Sequence, residues 1–148
     1  MIGQTELSAR IHKLIDENHL PHAIMLSSHE GSGGMPMALA IAQYLVCTQP
    51  HDGDACGECS GCSKMQKLQH PDVHFSFPVY RKDKIDRPPV SDDFITEFRE
   101  FLLLQPYASD VDWFQYLDTN KQGNITAAEC RAMLRKLQLR SFESRTKV

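Results

Sequence analysis

Long hydrophobic runs are missing from this chain of 148 residues. No stretch approaches the ~20 apolar residues needed to span a bilayer. Residues 1–10 hold no apolar segment of the kind found in a secretory signal. An excess of positive charge is missing too. The net charge of −3 gives no general reason to expect a polyanionic partner. Internal repeats and low-complexity tracts are absent. No serine, histidine and acid form a grouping that supports nucleophilic catalysis. These absences point to a soluble, cytosolic chain with no membrane partner, amounting to one domain or part of one, with a modest core.

Cysteine, by contrast, is concentrated in one place. Cys47, Cys56, Cys59 and Cys62 follow the spacing C-x8-C-x2-C-x2-C. Thiolates three residues apart can grip one ion without a large loop to close. Four sulfurs make a closed tetrahedral shell, which suits structural Zn²⁺ and leaves no position open for substrate. Gly57, Ser60 and Gly61 permit the tight turns of such a knuckle. A reducing compartment favours metal over disulfides here, and a reduced, metal-free loop is the plain alternative. His51, inside the insert, is a substitute ligand, because mixed Cys/His shells occur. Cys130 stands alone in a helical pattern and reads as a small core residue.

The periodicities outline an α/β chain. Leu7, Ile11, Leu14 and Ile15 predict an amphipathic helix over 6–19, stopped by Pro21. The run Ala23-Ile24-Met25-Leu26 reads as a buried strand. A glycine-rich turn follows, and Pro36 opens an almost wholly apolar helix over 36–47. After the insert, a short helix is expected over 64–69. The alternation of Val73, Phe75 and Phe77 then predicts a second strand. Residues 81–93 are mostly charged, contain two prolines and read as a mobile surface loop. Asp92 or Asp93 is placed to cap a helix that starts near Phe94. That helix buries Phe94, Phe98, Phe101 and Leu102 and ends before Pro106. Two more helices are expected over 110–117 and 126–138, the second with Cys130, Met133, Leu134 and Leu137 on one side.

A strand, a glycine-rich turn and a helix in sequence form the setting of a phosphate-binding loop, which needs G-x-x-x-x-G-K-[ST]. With Gly33 as its second glycine, Ser28 stands where the first belongs. Gly34 replaces the lysine and Met35 the Ser/Thr, while Gly31 fits inside the loop. The outline remains, but the ammonium that holds terminal phosphates and the hydroxyl that binds Mg²⁺ are gone. Glu30 adds repulsion toward phosphate. No ATP hydrolysis and no nucleotide cofactor are expected, so the chain reads as a non-enzyme. The same residues also read as a plain glycine-rich turn.

The order of these features resembles the clamp-loader subunits of bacterial DNA polymerase III. The residues that carry the likeness are Ile2-Gly3-Gln4, Leu20-Pro21-His22-Ala23, the cysteine knuckle and His70-Pro71-Asp72-Val73-His74. Among those subunits the tau/gamma type keeps the phosphate-loop lysine. The delta-prime type lacks a working loop, and this chain looks like it. Gly31-Ser32-Gly33, Pro36-Met37-Ala38 and Phe75-Ser76-Phe77-Pro78-Val79 support that choice. The resemblance implies an AAA+ fold with a zinc module inserted after the first core helix. It implies a non-catalytic subunit that acts with other clamp-loader subunits, and through them with the sliding clamp and primed DNA. Residues 1–148 would be the N-terminal part of an AAA+ domain, with the zinc insert at about 47–62 and without the lid and collar domains. The family's trans-acting arginine motif has no match, since Ser144-Arg145 is followed by Thr146. The family's sheet order does not make the two expected strands neighbours. The sheet is therefore incomplete in this chain, and the strands would be left as exposed edges, rearranged locally, or exchanged between copies in a homo-oligomer.

Residues 118–129 carry a competing pattern. Asp118, Asn120 and Glu129 fall at EF-hand ligand positions, with Gly123 at the turn and Ile125 at the apolar position. The neutral Gln122 leaves only two carboxylates. A helix–turn–helix corner capped by Thr126 and Glu129 explains the same residues, against a calcium-responsive binding module. The histidines at 12, 19, 22, 29, 51, 70 and 74 are scattered, and His70 reads as a turn or packing residue. Arg131, Arg135, Lys136, Arg140, Arg145 and Lys147 read as a solvated face, with weak contact to a DNA backbone as the minor reading.

Overall fold

The computed structural model describes residues 4–29, 31–82 and 86–148. Six α-helices appear among them: α1 Thr5–Asp16, α2 Gly34–Val46, α3 Ser60–Met65, α4 Ile95–Leu104, α5 Asp110–Tyr116 and α6 Ala127–Gln138. A 3₁₀ turn, Ser91–Phe94, leads into α4. None of these helices is long and apolar enough to cross a membrane. Five lie close to where the sequence predicts them; α3, expected over 64–69, begins four residues earlier, at Ser60.

One device ends three of these helices. The N–H of Asn18 bonds Ile15 O and that of His19 bonds Leu14 O, with Asn18 left-handed at φ 55°. The same pair of bonds closes the turn after α3 at Leu68 and the one after α5 at Asp118. This is the Schellman arrangement, which satisfies carbonyls at a helix end that have no partner within the helix. Leu68 pays for its left-handed φ of 53° by burying its side chain in the aromatic core. In α2, Pro36 occupies the third helical position. Its missing N–H is harmless there, because the first-turn N–H groups have no acceptor within the helix.

The expected sheet is not formed. Among the described residues there are no strands, only single bridges between His51 and Asp54 and between Val79 and Asn124. The 23–26 segment is not a buried strand. Ile24 is 46% exposed and Met25 89% exposed, and only Leu26 packs against α1 and α2. No described residue hydrogen-bonds the backbone of 20–28. An extended segment without an adjacent segment has no ladder to join.

The second segment is extended and keeps its alternation. Val73, Phe77 and Val79 are buried and Ser76 is exposed. Its backbone groups find irregular partners instead of a strand. Val148 N–H bonds Asp72 O at 2.9 Å and its carbonyl accepts His74 N–H at 2.7 Å, the two-bond pattern of a parallel pair. The hydroxyl of Ser91 accepts Phe77 N–H at 3.1 Å and donates to Phe77 O at 3.3 Å. Trp113 Nε1 donates to Pro78 O at 3.0 Å. Val79 exchanges both backbone bonds with Asn124.

Around this segment lies the main core. Phe77 stacks on Phe98 with centroids 3.7 Å apart, and Trp113 meets both rings edge-on. Phe94, Phe101 and Leu102 complete the face expected of α4. The loop expected over 81–93 is anchored where it is described; residues 83–85 lie outside the described residues. Lys82 donates to Asp93 O and Glu97, and its ammonium sits 4.0 Å from the Phe94 ring centre. Arg87 pairs with Asp93, whose carboxylate also caps the turn by accepting Val90 N–H. In α6 the only buried residue is Glu129. Cys130 is exposed rather than in the core, and Leu134 and Leu137 are exposed beside it.

Asp72 is fully buried. Its carboxylate accepts the N–H groups of Phe142 at 2.6 Å and of Glu143 and Ser144 at 2.8 Å, plus the Ser144 hydroxyl at 3.0 Å. Burial alone would raise its pKa. The backbone donors of 142–144 outweigh that and hold the carboxyl well below the usual carboxylate range. A depressed folded-state pKa gives stability that is complete above the unfolded value of about 4 and is lost as pH falls through the folded value. Urea midpoints measured from pH 6 downward should therefore fall on acidification, and by less in Asp72→Asn. At neutral pH that variant should lose about 2–4 kcal/mol, because charge-assisted bonds go and an amide NH₂ faces N–H donors.

Candidate metal centre and the glycine-rich loop

The insert between α2 and α3 folds back on itself through a two-residue turn. His51 and Asp54 exchange both backbone bonds, and Asp52 and Gly53 take φ of 52° and 71°. Positive φ at both central positions is the hairpin turn that Asp-Gly favours. The return brings Cys56 to Cys47, which ends α2. Cys59 caps the N-terminus of α3, its sulfur accepting Cys62 N–H, and Gln66 closes the knuckle by donating to Gly57 O at 2.9 Å.

All four sulfurs lie within 4.8 Å of one another. The Cys47–Cys56, Cys56–Cys62 and Cys59–Cys47 separations are 3.5, 3.9 and 4.0 Å. A tetrahedron with Zn–S of about 2.3 Å has S···S edges of about 3.8 Å. Backbone N–H groups of Cys56, Cys59 and Cys62 point at the sulfurs of Cys47, Cys56 and Cys59. Such bonds stabilise thiolate. Burial pushes the Cys47 and Cys62 thiols up, Cys62 to about 12. At Cys59 burial acts in the same direction but is outweighed by hydrogen bonds from Thr48 and Cys62, leaving it lowered to about 5. This donor set fits a soft dication. Among the described residues, no other group of His, Cys, Asp or Glu converges to hold a metal. His51 stays outside it, exposed beside Asp52.

The glycine-rich loop is shaped by a side chain that the sequence motif treats as a departure. Gly33 caps α2 at φ 94°, and Gly31 takes φ 72°. A Cβ built on Gly34 would lie 2.3 Å from Ser28 Oγ. A side chain at 34 would therefore require the exposed Ser28 hydroxyl to turn away and its Cβ, 3.1 Å from the same point, to give slightly. The two departures from the phosphate-loop pattern are one steric pair. The adjoining cavity, about 220 Å³, is lined by Ser28, Gly33, Gly34, Tyr107 and Asp110 among others. That is below the ~300 Å³ at which ligand pockets begin, and it carries a carboxylate where a phosphate site needs a cation. Glu30 lies outside the described residues, as do Ile2 and Gly3 of the resemblance.

A family model described as DNA polymerase III, delta subunit, matches residues 3–148. The chain belongs to that family. Among curated proteins it is similar to DNA polymerase III subunit delta′ of Escherichia coli K12, 34% identical over 64 residues, covering 43% of this chain and 19% of the relative. The Haemophilus influenzae protein of the same name is 34% identical over 74 residues, covering 50% and 22%. That of Bacillus subtilis is 30% identical over 77 residues, covering 49% and 23%. The matched stretch thus spans about a fifth of these relatives' length. No solved structure gives a significant match.

The EF-hand pattern does not assemble a site. Asp118 is the left-handed residue that ends α5. Glu129 Oε2 accepts Ser91 N–H at 2.7 Å, and Asn124 is tied to Val79. Thr126 caps α6 through Glu129 N–H at 3.1 Å, so half of the expected Thr/Glu box is present. The glutamate side chain serves the neighbouring turn instead. The one buried carboxylate that sequence reading passed over is Asp72. Its position in His70-Pro71-Asp72 was its only signal, and His70 is indeed a buried turn residue whose Nδ1 accepts Asp72 N–H.

The Ser28–Gly34 contact predicts coupling. Gly34→Ala should destabilise more in the parent chain than in a Ser28→Gly background. Urea unfolding of the four-member cycle should give an interaction energy of about 0.5–1 kcal/mol, the size expected of contacting residues.

Proposed function

We propose that this chain is the N-terminal part of a non-catalytic, delta-prime-type subunit of the bacterial replicative clamp loader, with an AAA+ architecture and structural zinc held by Cys47, Cys56, Cys59 and Cys62. The observation that carries this reading is the family match along residues 3–148, read together with a cysteine cluster of tetrahedral dimensions. In this role the chain works in the cytoplasm beside other clamp-loader subunits. It meets the sliding clamp and primed DNA through that assembly. Zinc supplies no chemistry to a substrate here, since four sulfurs close its shell. It braces the turn between α2 and α3.

The absence of catalysis is supported by the glycine at 34 in place of a lysine, the methionine at 35 and the small acidic cavity. A tau/gamma-like ATPase would need a lysine at position 34, where this chain has glycine. The exposed backbone of 23–26 supports exchange of strands between copies when these residues are expressed alone.

Reconstitution tests the reading. The chain, within its full-length protein, should co-purify with the other loader subunits and support clamp loading. Failure to associate with any of them would refute the role. The isolated chain should bind no triphosphate with a magnesium-dependent affinity below the millimolar range, measured by calorimetry. Metal analysis should find zinc stoichiometric with chain. Chelation, or Cys62→Ser, should lower the melting temperature and release the bound ion, since apo ligands cannot hold the knuckle closed.

A further inference from the structure

We infer that the turn between α4 and α5 is a built-in stopper for the glycine-rich loop, with the Tyr107 ring holding the start of α2 in the way a bound ligand would otherwise hold it. The inference rests on the reading of that loop as one that binds no nucleotide. The cavity of about 220 Å³ beside the loop has two walls. Residues 28–36 form one and residues 106–110 form the other, although the cysteine insert lies between them in the chain. A Cβ built on Gly33 would lie 3.3 Å from one carbon of the Tyr107 ring and 3.9 Å from the next. The shorter distance is inside the usual range for carbon atoms in contact. The ring edge therefore lies against the bare face of Gly33, where a side chain would begin.

Both walls are fixed independently of this contact. Leu39 of α2 and Ala108 of the turn pack on the same aromatic core. Ala108 N–H donates to Gln105 O at 3.1 Å, and Ser109 and Asp112 cap α5 reciprocally. The Tyr107 ring is 56% exposed, with one edge on the loop and the rest in water.

The loop gains from such a brace. Among the described residues, the bonds that hold its shape run from Ser32 N–H and hydroxyl to His29 O and from Met37 N–H to Gly33 O. No side chain caps α2. In a working phosphate loop the backbone N–H groups close around an anion, and the anion orders them. None of the described residues that line this cavity is Lys or Arg, and Asp110 adds a carboxylate. A phosphate group finds no counter-charge there, whereas an aromatic edge packed on glycine needs none. Glycine admits a close neighbour to its backbone, and here that neighbour is a ring of the same chain. The shape of the loop then does not vary with nucleotide concentration.

The test uses the zinc-loaded full chain in nucleotide-free buffer, with Tyr107→Ala and Tyr107→Phe. Amide exchange followed by NMR should quicken about three- to fivefold at Ser32 and Met37 in Tyr107→Ala and stay unchanged in α3 and α6, since losing one contact acts locally. Tyr107→Phe keeps the ring edge and should match the parent, because the hydroxyl makes no hydrogen bond among the described residues. A double-mutant cycle isolates the contact. Gly33→Ala is strained by its φ of 94° in any background, so that strain cancels. It should lower the urea midpoint more in the parent than in Tyr107→Ala. If Gly33→Ala fails to fold, the exchange result decides alone. Unchanged exchange at Ser32 and Met37, exchange that rises equally in α3 and α6, or the same midpoint loss in both backgrounds would each overturn the stopper. Capture of magnesium triphosphate by the parent chain is a separate outcome, which removes the reading of the loop and the stopper with it.

Discussion

The buried carboxylate of Asp72 is the interaction on which the arrangement of the chain rests. It gathers three consecutive backbone N–H groups from 142–144 and so ties the far end of the sequence to the turn after α3. The tie has support on both sides. Lys64 on α3 pairs with Glu143, and Val148 continues the contact along Asp72 and His74. An ion in the cysteine cluster would stiffen α3, and α3 leads directly into this clamp. Stability at the knuckle and order at residues 142–148 are thus physically continuous.

A second theme is how a segment with strand character survives without a sheet. Residues 72–79 have the alternation of a strand, yet their partners are a serine hydroxyl, an indole, an asparagine backbone and a distant valine. Ser91 is the most economical of these, since one hydroxyl serves both backbone groups of Phe77 while its own N–H goes to Glu129. The aromatic cluster then covers the segment on its inner side. Burial supplies the driving force, and the polar partners remove the desolvation cost. The 23–26 segment lacks both and lies open.

Much of this was legible in the residues themselves. Helix positions followed from apolar periodicity, and the core face of α4 followed residue by residue from Phe94, Phe98, Phe101 and Leu102. The cysteine cluster followed from spacing, because local ligands close a short loop whatever surrounds them. What could not be read were outcomes set by distant partners. Ala23-Ile24-Met25-Leu26 is apolar enough for a buried strand, but burial depends on neighbours that a local pattern does not contain. Cys130 sits on an apolar helical face that remains uncovered. Asp72 looked like an ordinary acid in a turn, and only the approach of 142–144 makes it a clamp. The EF-hand pattern failed for the same reason: Glu129 and Asn124 have prior commitments to Ser91 and Val79, some forty residues earlier in the chain.

The close fit of Ser28 against Gly34 carries a consequence for sequence change. A side chain at position 34 is crowded by one six residues upstream, and not by the backbone. A lysine arriving there first would have to displace the serine hydroxyl, whereas one arriving after a glycine at 28 would not. The order of replacements therefore carries a modest bias, with the change at 28 easing the change at 34.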